Sequence, residues 1–213
     1  MQLRHALLVL LAALTAAGCG SEEDPAAGVS IVDPASRAGA REVLVVGDSL
    51  AEGMAAALPA ALPGWRLRID AEWGRPLAEG MRILADEPAP PGILAISLFT
   101  NDDPRNVRAL DAAVRATAAR PGGCAIWATI VAPAYQGVSH DGANRLLRRL
   151  TGDPRLALEL VDWARAVEHD GSLMSGDEVH ASPAGYRARA RMYATAIRAC
   201  ARRQRGARAT LDR

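Results

Sequence analysis

Two short segments carry side chains that could do chemistry together: Gly47-Asp48-Ser49-Leu50, and Asp177-Glu178-Val179-His180 near the far end. A serine hydroxyl is a poor nucleophile until a base takes its proton, and an imidazole serving as that base needs a carboxylate to fix its tautomer. Asp177 and His180, three residues apart, can supply both. The chemistry would be attack of the Ser49 hydroxyl on an electrophilic carbon, with a covalent intermediate on the serine. Each piece also has a plainer reading, Ser49 as a helix N-cap and His180 as a surface loop histidine. His140 and His169 lack comparable surroundings. The chain contains no Lys, which removes a Walker A lysine, a Schiff-base lysine and a Ser-Lys dyad.

The elements that must position these groups alternate. Short apolar runs at Val43–Val46, Leu67–Ile69, Ile93–Leu98, Ala125–Val131 and Leu158–Val161 read as strands. Helical patterns lie near 50–61, 76–85, 104–119, 141–150 and 183–203. Asp103 before Pro104 and Ser182 before Pro183 read as N-caps followed by proline at the first helical position. Such alternation predicts an α/β fold, a three-layer α/β/α sandwich of flavodoxin-like type around a parallel sheet of about five strands. A site would then lie outside the carboxyl ends of the strands. Ser49, where a strand turns into a helix, meets that condition, and the helix N-terminus there favours developing negative charge.

The last helical pattern places Tyr186, Ala190, Tyr193, Ile197 and Cys200 on one apolar stripe. It aims Cys200 inward at the helix C-terminus, near the amino edge of the strands. Cys124 begins a predicted strand at that same edge. A Cys124–Cys200 disulfide is therefore expected, worth roughly 4 kcal/mol by loop-closure entropy, with two buried free thiols as the alternative.

The 213 residues, half of them apolar, fit one domain at 41–203, and the formal charge of +1 gives no warrant for nucleic-acid binding. Arg4 and His5 precede the apolar run Ala6 to Ala17, which is short for a membrane span of roughly 20 residues. Residues 1–18 read as an export signal. Ala16-Ala17-Gly18-Cys19 resembles a bacterial lipobox, with Ala16 where a larger aliphatic residue usually stands; it implies lipidation of Cys19 and a membrane anchor, against an ordinary cleaved signal as the alternative. Residues 19–40, acidic and punctuated by Pro and Gly, read as a flexible tether, and the Arg-rich 204–213 as a solvated, disordered tail.

Taken together, the motifs resemble the SGNH (GDSL) hydrolase family over roughly residues 42–200. Gly47-Asp48-Ser49-Leu50 and Asp177-x-x-His180 match its first and last blocks. Trp73-Gly74-Arg75-Pro76-Leu77 resembles its glycine block, and Phe99-Thr100-Asn101-Asp102 its Gly-x-Asn-Asp block. All four occur in order at the ends of predicted strands. The resemblance implies Ser49 as nucleophile, His180 as general base and then acid, and Asp177 as its orienting carboxylate. It implies an oxyanion hole from the Ser49 and Gly74 amides and the Asn101 side chain. No cofactor or metal is implied. Phe99 departs from the block's leading Gly, either packing inward or walling the acyl site. Asp48 and Asp102 would hold loops, a metal cluster together with Asp103 being the lesser alternative.

The stretch from Asn144 to Val161-Asp162-Trp163 resembles extracytoplasmic family members acting on cell-wall or other carbohydrate O-acyl groups. Trp163 could stack on a sugar, although packing is its commoner role. The expectation is an esterase of the cell envelope whose partner is an acyl-ester substrate such as an envelope glycan. An O-acyltransferase of the same fold, for instance on peptidoglycan, is the alternative, and a non-catalytic ligand-binding surface lipoprotein the second.

Overall fold

The computed structural model describes residues 29–32 and 41–211. Residues 1–28, and with them the export signal and Cys19, lie outside it. Five parallel strands form the centre: β2 (Arg41–Gly47), β3 (Trp65–Ala71), β4 (Ile93–Ser97), β5 (Cys124–Ala128) and β6 (Leu158–Val161). Their spatial order is β3-β2-β4-β5-β6. The runs Val43–Val46 and Ile93–Ile96 are buried along their whole length, as strands covered on both faces must be. The expected α/β architecture and all five strands are present.

Two helical layers flank the sheet. Helices α1 (Ser49–Ala55), α2 (Leu58–Ala61), α6 (Trp163–His169) and α7 (Pro183–Leu211) pack with Val43 and Val45 on one face. Helices α3 (Leu77–Asp86), α4 (Val107–Ala118) and α5 (Asp141–Thr151) pack with Leu44 and Val46 on the other. The predicted α7 stripe lies in the first core: Ala190, Tyr193, Ile197 and Cys200 are buried, and Tyr186 packs against them. Cys200 and Cys124 form the expected disulfide, their Cα atoms 5.6 Å apart.

Four features correct the sequence reading. Val29–Val32, inside the stretch read as a tether, forms strand β1, antiparallel to β3 from Val29↔Ala71 to Val32↔Arg68. Its β-branched residues give β3 a hydrogen-bonding partner on an edge that would otherwise be open. Helix α4 starts at Val107, not at Pro104. Asp103 instead closes a turn, its carbonyl accepting from the Asn106 amide (2.9 Å) and its carboxylate from the Arg105 amide (2.9 Å).

Helix α7 runs on to Leu211 where a disordered tail was expected. The tail's Ala, Arg and Gln are strong helix formers, and Gln204 Nε2 donates to the Gly92 and Gly122 carbonyls (2.8 and 3.0 Å). Helix α6 was not foreseen; Asp162 caps it by accepting from the Arg165 amide. No helix among the described residues is long and apolar enough to cross a membrane.

Candidate active site

The chain passes from β2 outward to β3 and then back across to β4, so connections leave β2 and β4 in opposite directions. A crevice opens outside their carboxyl ends at such a point, and Ser49 follows β2 while Asn101 follows β4. The turn into α1 is tight. A Cβ on Gly47 would lie 2.3 Å from the Ala51 Cβ and 2.9 Å from the Ser97 carbonyl oxygen, so only glycine fits there. Asp48 is the N-cap, its Oδ1 accepting from the Leu50 amide at 3.0 Å, and its own amide donates to the Ser97 carbonyl at 2.9 Å. Ser49 is therefore the first residue of α1, its side chain almost buried (7% exposed). Its amide has no acceptor within the helix.

The base arrives from the other end of the chain. His180 Nε2 lies 3.0 Å from Ser49 Oγ, and His180 Nδ1 lies 2.6 Å from Asp177 Oδ2. The other Asp177 oxygen accepts from the Ser175 hydroxyl (2.7 Å) and the Val179 and His180 amides (3.0 and 2.8 Å). Those bonds, led by the Ser175 hydroxyl and the His180 ring, hold the Asp177 carboxyl well below the usual carboxylate range. It is therefore ionised around neutral pH. Just beyond, Ser182 caps α7: its Oγ accepts from the Gly185 amide at 3.1 Å, as its position before Pro183 predicts.

Arg75 links the three segments that carry the groups named for anion stabilisation. Gly74 sits in the turn Glu72–Arg75 with φ +75°, and the Arg75 amide closes that turn on the Glu72 carbonyl (3.3 Å). The Arg75 guanidinium is buried and donates to the Gly47 and Asp70 carbonyls (3.1 and 2.8 Å) and to Asp70 Oδ1 (2.7 Å). The Arg75 carbonyl accepts from Asn101 Nδ2 at 3.3 Å, leaving that amide a second hydrogen. One residue thus ties the Ser49 turn, the Gly74 turn and the Asn101 loop. Nothing in the sequence marked Arg75 beyond its place after Gly74.

A second buried arginine lies beneath. Arg189 of α7 is 1% exposed and donates through Nη2 to Ser97 Oγ (3.0 Å), which in turn donates to Asp48 Oδ1 at 3.4 Å. Its guanidinium also lies over the Trp163 and Tyr193 rings, 5.2 and 5.5 Å from their centroids. Burial pushes the Asp48 carboxyl above its ordinary value, and the Arg189 charge pulls it part of the way back. Sequence reasoning missed Arg189 because α7 is studded with arginines and only the fold shows which one points inward.

The remaining candidates take structural places. Trp163 is fully buried against Arg189 and presents no face to a sugar. Phe99 packs inward, fully buried, with φ +81°. That left-handed backbone, which glycine adopts without cost, lies in the turn between β4 and Asn101. Edge-on to the Phe99 ring stands His140, centroids 6.3 Å apart at 89°, buried and held below its ordinary value by that burial. Asp102 accepts from the Leu77 amide at 2.8 Å, and Asn144 clamps both backbone groups of Ile130 at 2.8 Å.

The five-stranded parallel sheet between two helical layers, with a hydroxyl, an imidazole and a carboxylate in hydrogen-bonded series beyond its carboxyl edge, has the SGNH-hydrolase fold. The chain resembles the catalytic domain of Streptococcus pneumoniae peptidoglycan O-acetyltransferase A, at 22% identity and TM-score 0.62, over 78% of this chain and 96% of that one. It also resembles a candidate SGNH hydrolase from Slackia heliotrinireducens (24% identity, TM-score 0.52, 75% and 100% covered). A family 3 carbohydrate esterase from Talaromyces cellulolyticus matches at 16% identity and TM-score 0.51, over 74% and 96%. No protein-family model matches the sequence, and no curated protein does either.

Proposed function

We propose that this protein is an exported serine-dependent acyl-ester hydrolase that removes O-acyl groups from a carbohydrate or small ester. The observation that carries the reading is the unbroken series Ser49 Oγ, His180 Nε2, His180 Nδ1, Asp177 Oδ2 at 3.0 and 2.6 Å. Ser49 Oγ attacks the acyl carbon while its proton passes to His180 Nε2. The oxyanion that forms is met by the Ser49 and Gly74 amides and Asn101 Nδ2. The carbon–oxygen bond to the alcohol breaks, His180 gives its proton to the leaving oxygen, and the acyl group stays on Ser49. Water, deprotonated by His180, then releases the acid and frees the serine. Asp177 remains ionised throughout and balances the imidazolium. In the same reading Cys19 carries the lipid that anchors the protein at the cell envelope.

The test is turnover of p-nitrophenyl acetate together with labelling by a serine-directed phosphonate. Wild type is expected to turn over the ester and take the label on Ser49, and Ser49→Ala to do neither. A Ser49→Ala protein as active as wild type would remove the proposal. A second reading, O-acyl transfer to a glycan hydroxyl, is favoured by the likeness to an O-acetyltransferase at TM-score 0.62. Both readings share the acyl-Ser49 step and differ only in the acceptor. Product analysis with and without a glycan acceptor separates free acid from acylated sugar.

A further inference from the structure

Among the described residues, only two large apolar side chains are strongly exposed, Trp73 (73%) and Tyr135 (50%). Both lie in segments that leave the carboxyl ends of strands, as Ser49 does. Trp73 follows β3 and Tyr135 follows β5, while Ser49 and Asn101 follow the two strands between them. The strands that lead to the two aromatics therefore bracket those that lead to Ser49 and Asn101, the outer pair lying three strand spacings apart, about 14 Å at the usual interstrand distance.

Each ring is held in place rather than left on a loose loop. Trp73 precedes Gly74 in the turn fixed by Arg75, and its ring lies parallel to the His180 ring, 6.3 Å between centroids and 11° between planes. Tyr135 opens a two-residue hairpin closed by reciprocal Tyr135–Val138 hydrogen bonds of 3.0 Å, and Arg105 Nη2 pins the hairpin tip through Gln136 Oε1 at 2.7 Å. Leaving an indole in water forgoes the roughly 2–3 kcal/mol that burying a large apolar side chain returns. Polar groups follow β4, one of the two intervening strands: exposed Asn101 and part-buried Asp102 and Asp103. A hydrocarbon tail needs a continuous apolar lining, which two separated rings do not provide. A pyranose ring fits, because its axial C–H face lies flat on an aromatic while its rim of hydroxyls needs polar partners.

We propose that Trp73 and Tyr135 are two sugar-stacking subsites on either side of Ser49. Trp73 carries the residue bearing the ester, and Tyr135 carries a more distant residue of the same oligosaccharide. This names the substrate class of the site and rests on the ester-cleaving reading above.

Binding of an N-acetylglucosamine trisaccharide to the Ser49→Ala protein, measured by titration calorimetry, tests it without requiring turnover. Adding Trp73→Ala is expected to weaken binding about tenfold, a loss of about 1.4 kcal/mol. Tyr135→Ala is expected to weaken it severalfold, and Trp73→Phe to retain most of it. No trisaccharide binding by Ser49→Ala, or binding untouched by Trp73→Ala, overturns the proposal. Kinetics in the Ser49 background add a second readout. The rise in KM caused by Trp73→Ala is expected to be at least fivefold greater for an O-acetylated trisaccharide than for p-nitrophenyl acetate. An equal fall in kcat for both esters would place Trp73 in the service of His180 alone, and a KM rise confined to a long-chain alkyl ester would assign the rings to lipid. Either result overturns the sugar subsites. Intact, Trp73-dependent sugar binding by a protein inactive on every ester would sink the hydrolase reading and leave the subsites standing.

Discussion

The hydroxyl and the imidazole that meet at the site are held in opposite ways. Ser49 is positioned from below by partners far away in sequence: Ser97, Arg75 and, through Ser97, Arg189. Those groups are buried. His180 is positioned by its own neighbourhood, since Asp177, Ser175 and the amides of Val179 and His180 all lie within six residues, and the Asp177 side chain is half exposed. The nucleophile is thus a product of the whole fold, and the base is a product of one loop. Damage to the loop should cost activity with little stability, whereas damage below the serine should cost stability first.

That contrast can be broken by measurement. The largest effect expected is from Ser49→Ala, a fall in kcat on the order of 10⁶-fold, with the urea midpoint unchanged because the N-cap, Asp48, is intact. Asp177→Asn should lower kcat about 10⁴-fold, again with the fold intact, because the imidazole loses its orienting anion. A comparable loss of folding stability in Asp177→Asn would mean the loop is not locally held.

Arg189→Met reverses the pattern, with a stability loss of about 3 kcal/mol, as for other buried charges stripped of a partner. Its sign with pH is defined. Burial already raises the folded Asp48 carboxyl above its unfolded value, so the cost of its charge is absent at low pH and appears as pH rises through the folded value. Without Arg189 that cost grows, so the variant's deficit in urea unfolding should be larger at pH 8 than at pH 5. Equal deficits would uncouple Arg189 from Asp48.

The smallest effect concerns His140 beneath the Asn101 loop. Burial lowers its folded value, so its neutral form favours the native state above the unfolded value of about 6.5, and that contribution is lost as pH falls through the folded value. His140→Gln should therefore flatten the decline of Tm between pH 7.5 and 5. A wild-type slope in the variant would exclude His140 as its source.

These two ways of holding a residue also explain what could be read before the fold was known. Strands such as Val43–Val46 are apolar without interruption, so burial on both faces was visible in composition. Asp177 and His180 were legible because the contacts that define them are local. The groups below Ser49 were not, for Arg75 and Arg189 look like any other arginine until two distant strands and a helix enclose them. Phe99 hid its role similarly, because a left-handed backbone is inferred readily only when glycine stands there. Asp103-Pro104 misled for a local reason: its capping bonds close a turn, three residues before the helix begins. Val29–Val32 was overlooked because four residues amid Pro and Gly carry too little periodicity to announce a strand, and only the open side of β3 gives them a use.

That small strand has a directional consequence. Being antiparallel to β3, it receives the incoming chain at Val29, opposite Ala71, on the same side of the sheet as Ser49. On the proposed attachment at Cys19, only residues 20–28 separate the acylated cysteine from the fold, a contour of roughly 30 Å at full stretch. The chain therefore joins the fold beside the crevice, at the end of the sheet from which Ser49 projects.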